Sequence, residues 1–193
     1  MEQRADGSDM WIEAGLRELG RSGINGVRVE VLAERLGITK GGFYRRFRDR
    51  RALLDAMLER WAHGRTKSIQ EHAALAGATP RDRVELMVQI YAGPINAEGM
   101  SIELAIRQWA QSDTAATTAV ASVDAARLKV AEKIYRDLGL TPKKARARAL
   151  LLYSFVFGQS LILLDELSSE YANLTAACTE ILAESSGKQK RGS

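Results

Sequence analysis

The stretch Leu32–Phe47, LAERLGITKGGFYRRF, decides how the rest of the chain is read. Leu32, Ala33 and Leu36 form the apolar stripe of a short helix that stops at Gly37, where a left-handed cap is easiest for glycine. Ile38 is expected to point inward across the turn. Thr39 is expected to cap the next helix by accepting hydrogen bonds from its free N–H groups. In that second helix Phe43 and Phe47 share one face, while Lys40, Arg45 and Arg46 lie on or beside the other. One packed face and one basic face is the division of labour that a DNA-reading helix-turn-helix requires.

Charge supports the same reading. From Arg35 to Arg51 seven bases (Arg35, Lys40, Arg45, Arg46, Arg48, Arg50, Arg51) stand against one acid, Asp49, whereas the whole chain carries only +4. An isolated charge run is more often a solvated face. Concentrated on a helix-turn-helix pattern, it is the footprint of phosphate binding.

Working outward, a first helix runs from about Ser8 or Asp9 to Arg21, with Trp11, Ile12, Leu16 and Leu19 as its stripe. Ser22–Gly26 breaks it, the second helix begins near Val29 and the third ends near Phe47. Asp49 then caps a longer helix carrying Leu53, Leu54, Met57, Leu58 and Trp61. Trp11, Leu16, Leu32, Leu36, Phe43 and Phe47 make a three-helix core, with Leu53 and Leu54 beneath it.

These residues resemble the TetR family of transcriptional regulators. The likeness runs from Trp11 through Ser22-Gly23-Ile24, Val29, Leu32-Ala33 and Leu36-Gly37-Ile38-Thr39 to Gly41-Gly42-Phe43-Tyr44, Phe47, Arg50 and Leu53-Leu54. It implies that Thr39 and the short helix after it enter the major groove, with Lys40, Gly42 and Arg46 nearest the base edges. Tyr44 would bond a phosphate through its hydroxyl, and Arg28 and Arg50 would grip the backbone. Three departures put the operator sequence beyond transfer. Arg28 stands where the family usually has Ser or Thr, Gly42 where Thr or Ser is common, and Arg50 where Lys is usual.

The residues carry some of these roles on their own physics. Gly41 and Gly42 inside one short helix cost about 1 kcal/mol each relative to alanine, and without side chains the backbone can approach DNA closely. The alternative is a glycine pair that merely loosens the turn. Arg46 either reads guanine through paired donors or contacts another phosphate, and Tyr44 either faces phosphate or joins the core. Arg45 adds charge beside them.

The rest of the chain reads as further helices, at about 47–75, 80–93, 100–112, 115–138, 142–166 and 169–185, with Ala97-Glu98-Gly99 as a linker. Thr79-Pro80 and Thr141-Pro142 each look like an N-cap followed by proline at the first helical position. The expected architecture is all-α. An N-terminal helix-turn-helix domain (9–55, the motif itself at about 28–47) joins a larger α-helical ligand-binding and dimerisation domain (56–185), and 186–193 is a disordered tail. Residues 149–164, ALLLYSFVFGQSLILL, are apolar nearly all round and call for burial on most faces. With the helix that follows they suit a four-helix bundle made by two subunits, as the family resemblance also implies. Leu152, Phe155, Leu163, Leu174, Ala177 and Ile181 are the candidate interface residues. Trp61, Met87, Tyr91, Arg107, Trp109, Tyr153, Phe157 and Gln159 are candidates for lining a small-molecule pocket, though the same residues equally describe a packed core.

Other functions fit less well. The two histidines, His63 and His72, are poorly spaced to chelate one metal. No Cys/His metal motif, phosphate-cradling glycine loop or nucleophile motif occurs. No cofactor or catalysis is expected. The single cysteine, Cys178, excludes an intramolecular disulfide, and no apolar run is long enough for a membrane span, so a cytoplasmic protein is expected. The reading is a homodimeric repressor that binds an operator and is released by a small molecule. The alternative is a TetR-like activator or protein-binding regulator without an inducer.

Overall fold

The computed structural model describes residues 7–73, 78–92, 97–162 and 168–184, and every regular element among them is helical. In chain order these are α1 (Gly7–Ser22), α2 (Val29–Leu36), α3 (Lys40–Tyr44), α4 (Arg50–Ala73), α5 (Pro80–Ala92), α6 (Ala97–Trp109), α7 (Thr114–Asp137), α8 (Pro142–Gly158) and α9 (Ser168–Ala183). Single 3-10 turns lie at Ile24–Gly26 and Gln159–Leu161. By compactness the chain falls into two units, one of Met1–Thr66 and Ala97–Val123, the other of Lys67–Asn96 and Asp124–Ser193.

The first unit is built on the expected aromatic core. Trp11 of α1 meets Phe43 of α3 edge-on at 5.1 Å between ring centroids, and Phe43 stacks on Phe47 at 5.4 Å. Leu19, Leu32, Leu53 and Met57 are buried around them. Burying each such side chain stabilises the fold by roughly 1.5–3 kcal/mol, so this small cluster fixes the pose of the five-residue α3, which is too short to hold itself. α1 also packs on α6: Glu98 lies 3.5 Å from Arg17, and Gly20 admits Ile102.

α2 ends as its sequence requires. Gly37 sits at φ 65°, and the N–H groups of Gly37 and Ile38 donate to Glu34 O and Ala33 O at 3.1 and 3.0 Å. Asp49 caps α4, accepting from the Ala52 N–H at 2.9 Å. That backbone bond, with Arg48 beside it, holds the Asp49 carboxyl below its usual range. Asp113 caps α7 in the same way (Ala116 N–H, 3.0 Å), and Thr79 and Asp82 form a reciprocal capping box at α5.

Several expectations change. α3 ends at Tyr44, short of Phe47, and Ile38 is exposed, because the Gly37 cap turns it outward. Ala97-Glu98-Gly99 is the first turn of α6 and no linker; the Gly99 carbonyl accepts from Arg65 at 2.9 Å and the Ala97 carbonyl from Ser101 at 3.0 Å. α8 ends at Gly158 rather than 166, in a 3-10 turn that begins directly after the glycine. Thr39 and Thr141 occupy N-cap positions, but neither side chain bonds a backbone N–H. The predicted tail, 186–193, lies outside the described residues.

The second unit buries Val84, Met87 and Val88 of α5, Leu152 and Val156 of α8, and Leu182 and Ala183 of α9. Arg148 donates to the Ile181 and Leu182 carbonyls at 2.5 and 3.2 Å, a cation placed where the helix dipole of α9 is negative.

Candidate nucleic-acid interface

α2, the turn at Gly37–Thr39 and α3 form the helix-turn-helix, and α1 and α4 hold it. Among the described residues, nothing packed against the glycine pair in α3 requires it. A Cβ on Gly42 would meet nothing within 4 Å, one on Gly41 only Thr39 Oγ1 at 3.6 Å, and neither has a positive φ. The packing therefore does not explain why α3 is bare there, which favours close approach by something outside the chain.

The basic run is more compensated than its sequence suggests. Arg35 bonds the buried Glu18 of α1 at 2.7 Å, Lys40 lies 2.9 Å from Glu30, and Arg48 pairs with Asp49 at 2.9 Å. Arg51 bridges Asp55 (2.7 Å) and Asp113 (2.5 Å), which holds its guanidinium above its ordinary pKa. Most of these acids lie outside the 35–51 window, so a count along the sequence could not find them.

Two arginines are used differently from expectation. Arg50 was expected to grip the DNA backbone. Its Nε and Nη2 instead donate to the Val27 and Ile24 carbonyls at 2.5 and 2.6 Å, tying the start of α4 to the turn before α2. Arg46 was placed near the base edges, yet its guanidinium lies over Gly7 at the start of α1, 3.0 Å from where a Cβ there would sit. Arg28, Lys40, Tyr44 and Arg45 are all exposed. Tyr44 is 61% exposed and rests edge-on against Phe43, which settles it outside the core with its hydroxyl available.

The pocket candidates do not fall in one unit. Trp61 and Trp109 are buried and Arg107 half-buried in the first unit. Arg107, a candidate for lining a pocket, meets the buried Glu103 at 3.0 Å, as does Arg65 at 3.3 Å. In the second unit Met87, Tyr153 and Gln159 are buried, and Tyr153 stacks on Phe157 at 6.2 Å. The side chain of Tyr91 lies outside the described residues. Sequence reading missed Arg127 of α7, which is 1% exposed, 3.4 Å from Asp124 and 5.4 Å from the Phe157 ring centre. Its only signal was a charge on the apolar side of a helix. Tyr135, also in α7, has a fully buried hydroxyl with no hydrogen-bond partner among the described residues, and burial pushes its pKa up to about 12.

Of the interface candidates, Leu152 is buried within its own unit and cannot meet a partner. Phe155 is half-buried, Leu174, Ala177 and Ile181 are exposed, and Leu163 lies outside the described residues. The apolar side chains that α8 leaves exposed are Leu150 and Leu151, with Leu161 and Ile162 just beyond it.

A short helix pinned by an aromatic core, with two adjacent glycines and exposed cations on its outer side, is the arrangement of a DNA-binding helix-turn-helix. Residues 12–57 match the profile of the bacterial regulatory proteins of the tetR family. The fold is shared with a TetR-family regulator from Rhodococcus sp. (20% identity, TM-score 0.67, 92% of this chain and 99% of that one). It is shared with a regulator from Saccharomonospora viridis in complex with choline (15%, 0.73, 90% and 93%). FadR from Bacillus subtilis, in complex with stearoyl-CoA, also matches (16%, 0.63, 91% and 97%). Comparison with curated proteins finds no match. No helix among the described residues is long and apolar enough to cross a membrane.

Proposed function

We propose that the protein is a homodimeric repressor that binds an operator through the major groove and is released by a small molecule. In this reading residues 9–55 read DNA and 56–185 carry dimerisation and effector binding. The observation that carries it is the exposed apolar surface of the second unit: Leu150 and Leu151 of α8, with Leu161 and Ile162 beyond it, and Leu174 and Ile181 of α9. Such a surface is costly in water and suits a second copy of the chain. A dimer supplies what a single five-residue helix cannot, namely two recognition helices spaced for half-sites one turn, about 34 Å, apart.

Arg28, Thr39, Lys40, Tyr44 and Arg45 then face DNA, with Gly41 and Gly42 letting the α3 backbone approach. Arg50 and Arg46 act from behind by holding α4 and α1 in place. For the effector, Met87, Tyr153, Phe157, Gln159 and Arg127 combine apolar walls with polar groups in the second unit. Choline and stearoyl-CoA, held by two proteins of this fold, are so unlike that the effector must be sought by screening. Release follows if the effector favours a conformation whose recognition helices no longer match the half-sites.

The test is a mobility-shift titration of the full-length protein on intergenic DNA beside its own gene, repeated at rising salt, with sedimentation to give the oligomeric state. Specific, salt-sensitive retardation by a dimer is expected. A monomer, or no preference for any neighbouring promoter over random DNA, overturns the proposal.

A further inference from the structure

Among the ion pairs around the recognition helix, the one between Glu30 and Lys40 links the first turn of α2 to the start of α3 on the solvent side. Arg35–Glu18 joins α2 to the core of α1, and Arg51–Asp113 joins two helix starts. The Glu30 and Lys40 side chains are 61% and 57% exposed, and an exposed pair of this kind contributes little to folding. Facing phosphates, a carboxylate would only repel. Facing base edges, it is an acceptor that amino groups alone can satisfy.

We propose that Glu30 and Lys40 form a two-residue reader, selecting in each half-site a base pair with a keto base (G or T) beneath Lys40 and an amino base (C or A) beneath Glu30. This rests on the reading that the start of α3 enters the major groove. The Lys40 Nζ to Glu30 Oε1 separation is 2.9 Å. In either base pair the keto oxygen and amino nitrogen are hydrogen-bonded to each other across the groove, also about 2.9 Å apart. The keto oxygen keeps a second lone pair for the ammonium, and the amino group keeps a second hydrogen for the carboxylate. Donor and acceptor on the protein thus match acceptor and donor on the DNA in order and spacing. With the base pair reversed, both contacts become repulsive. Lys40 holds the Glu30 carboxyl below its usual range, so it is ionised at neutral pH. Gly41 and Gly42 follow Lys40 directly and put no side chain between the pair and the groove floor.

The test is selection of full-length protein on a randomised duplex library, followed by affinities for all four base pairs at each enriched position. For the wild type, one position per half-site is expected to prefer G·C and T·A over C·G and A·T by about 5- to 150-fold. Glu30→Ala, and Glu30→Gln whose amide can accept from an amino group or donate to a keto oxygen, should weaken the preference at that position alone, and the swap Glu30→Lys with Lys40→Glu should invert it. A profile unchanged by both Glu30 variants, or lowered equally at every position, overturns the proposal. A wild type that enriches no sequence overturns the DNA-reading assignment itself, a result distinct from the other two.

Discussion

Replacing Arg50 separates a structural use of charge from a DNA contact. Its guanidinium donates to Val27 O and Ile24 O at 2.5 and 2.6 Å, the first bond part-buried and the second exposed. A hydrogen bond from a charged donor contributes about 1.5–3 kcal/mol when shielded and much less in water, so the two together are worth roughly 2–3 kcal/mol. Arg50→Ala is therefore expected to lower the unfolding free energy by about that amount, or roughly 4–12 °C in melting temperature for a chain of this size. Lysine cannot span two carbonyls, so Arg50→Lys should recover less than half of the loss while restoring the charge. The assay is urea unfolding at fixed protein concentration, paired with the salt dependence of DNA affinity. A phosphate contact contributes about 0.9 to the slope of log K against log salt, and a guanidinium committed to carbonyls contributes nothing. Unchanged stability with the slope reduced by about one unit would refute the reasoning and return Arg50 to the DNA backbone.

Arg45→Ala should reduce the salt slope by about 0.9, while Arg46→Ala should chiefly increase hydrogen exchange at the start of α1, where its guanidinium covers Gly7. Leu151→Glu or Ile181→Glu should shift sedimentation from dimer to monomer with little loss of helix, since both side chains are more than half exposed in the single chain. Tyr135 binds its proton more tightly when folded, with a pKa raised to about 12. Its contribution is therefore whole below the unfolded value near pH 10 and is lost as pH climbs towards 12, about 3 kcal/mol in all. Tyr135→Phe should abolish that part of alkaline destabilisation and, by removing an unpartnered buried hydroxyl, raise stability by about 1 kcal/mol at pH 7. Melting curves from pH 7 to pH 11 check both.

The helices were legible because their stripes and caps are local. The Gly37 cap, the Asp49 cap and the Phe43–Phe47 face all depend on residues within a few positions of one another. What the chain did not disclose in linear form was the use of each charge. Arg35 finds Glu18, Arg51 finds Asp113 and Arg50 finds two carbonyls in the turn before α2. Each partner lies many positions away, so the run from 35 to 51 looked like free cations. The faces of α8 were hidden for another reason. A helix apolar on every side has no polar face to reveal which leucines turn outward, and Leu152 was assigned to the wrong side for that reason.

The compensation of the basic run has a consequence at the scale of the chromosome. Attraction to arbitrary DNA grows with the number of phosphates a protein neutralises, and a genome offers about a million to a billion arbitrary sites for each operator. A head whose cations are largely answered by its own acids is held weakly by that background. More of its copies would stay unbound and searching, so under the proposed function fewer would be needed to keep an operator occupied. A variant with fewer such acids would hold arbitrary DNA more tightly and be diluted along the rest of the genome.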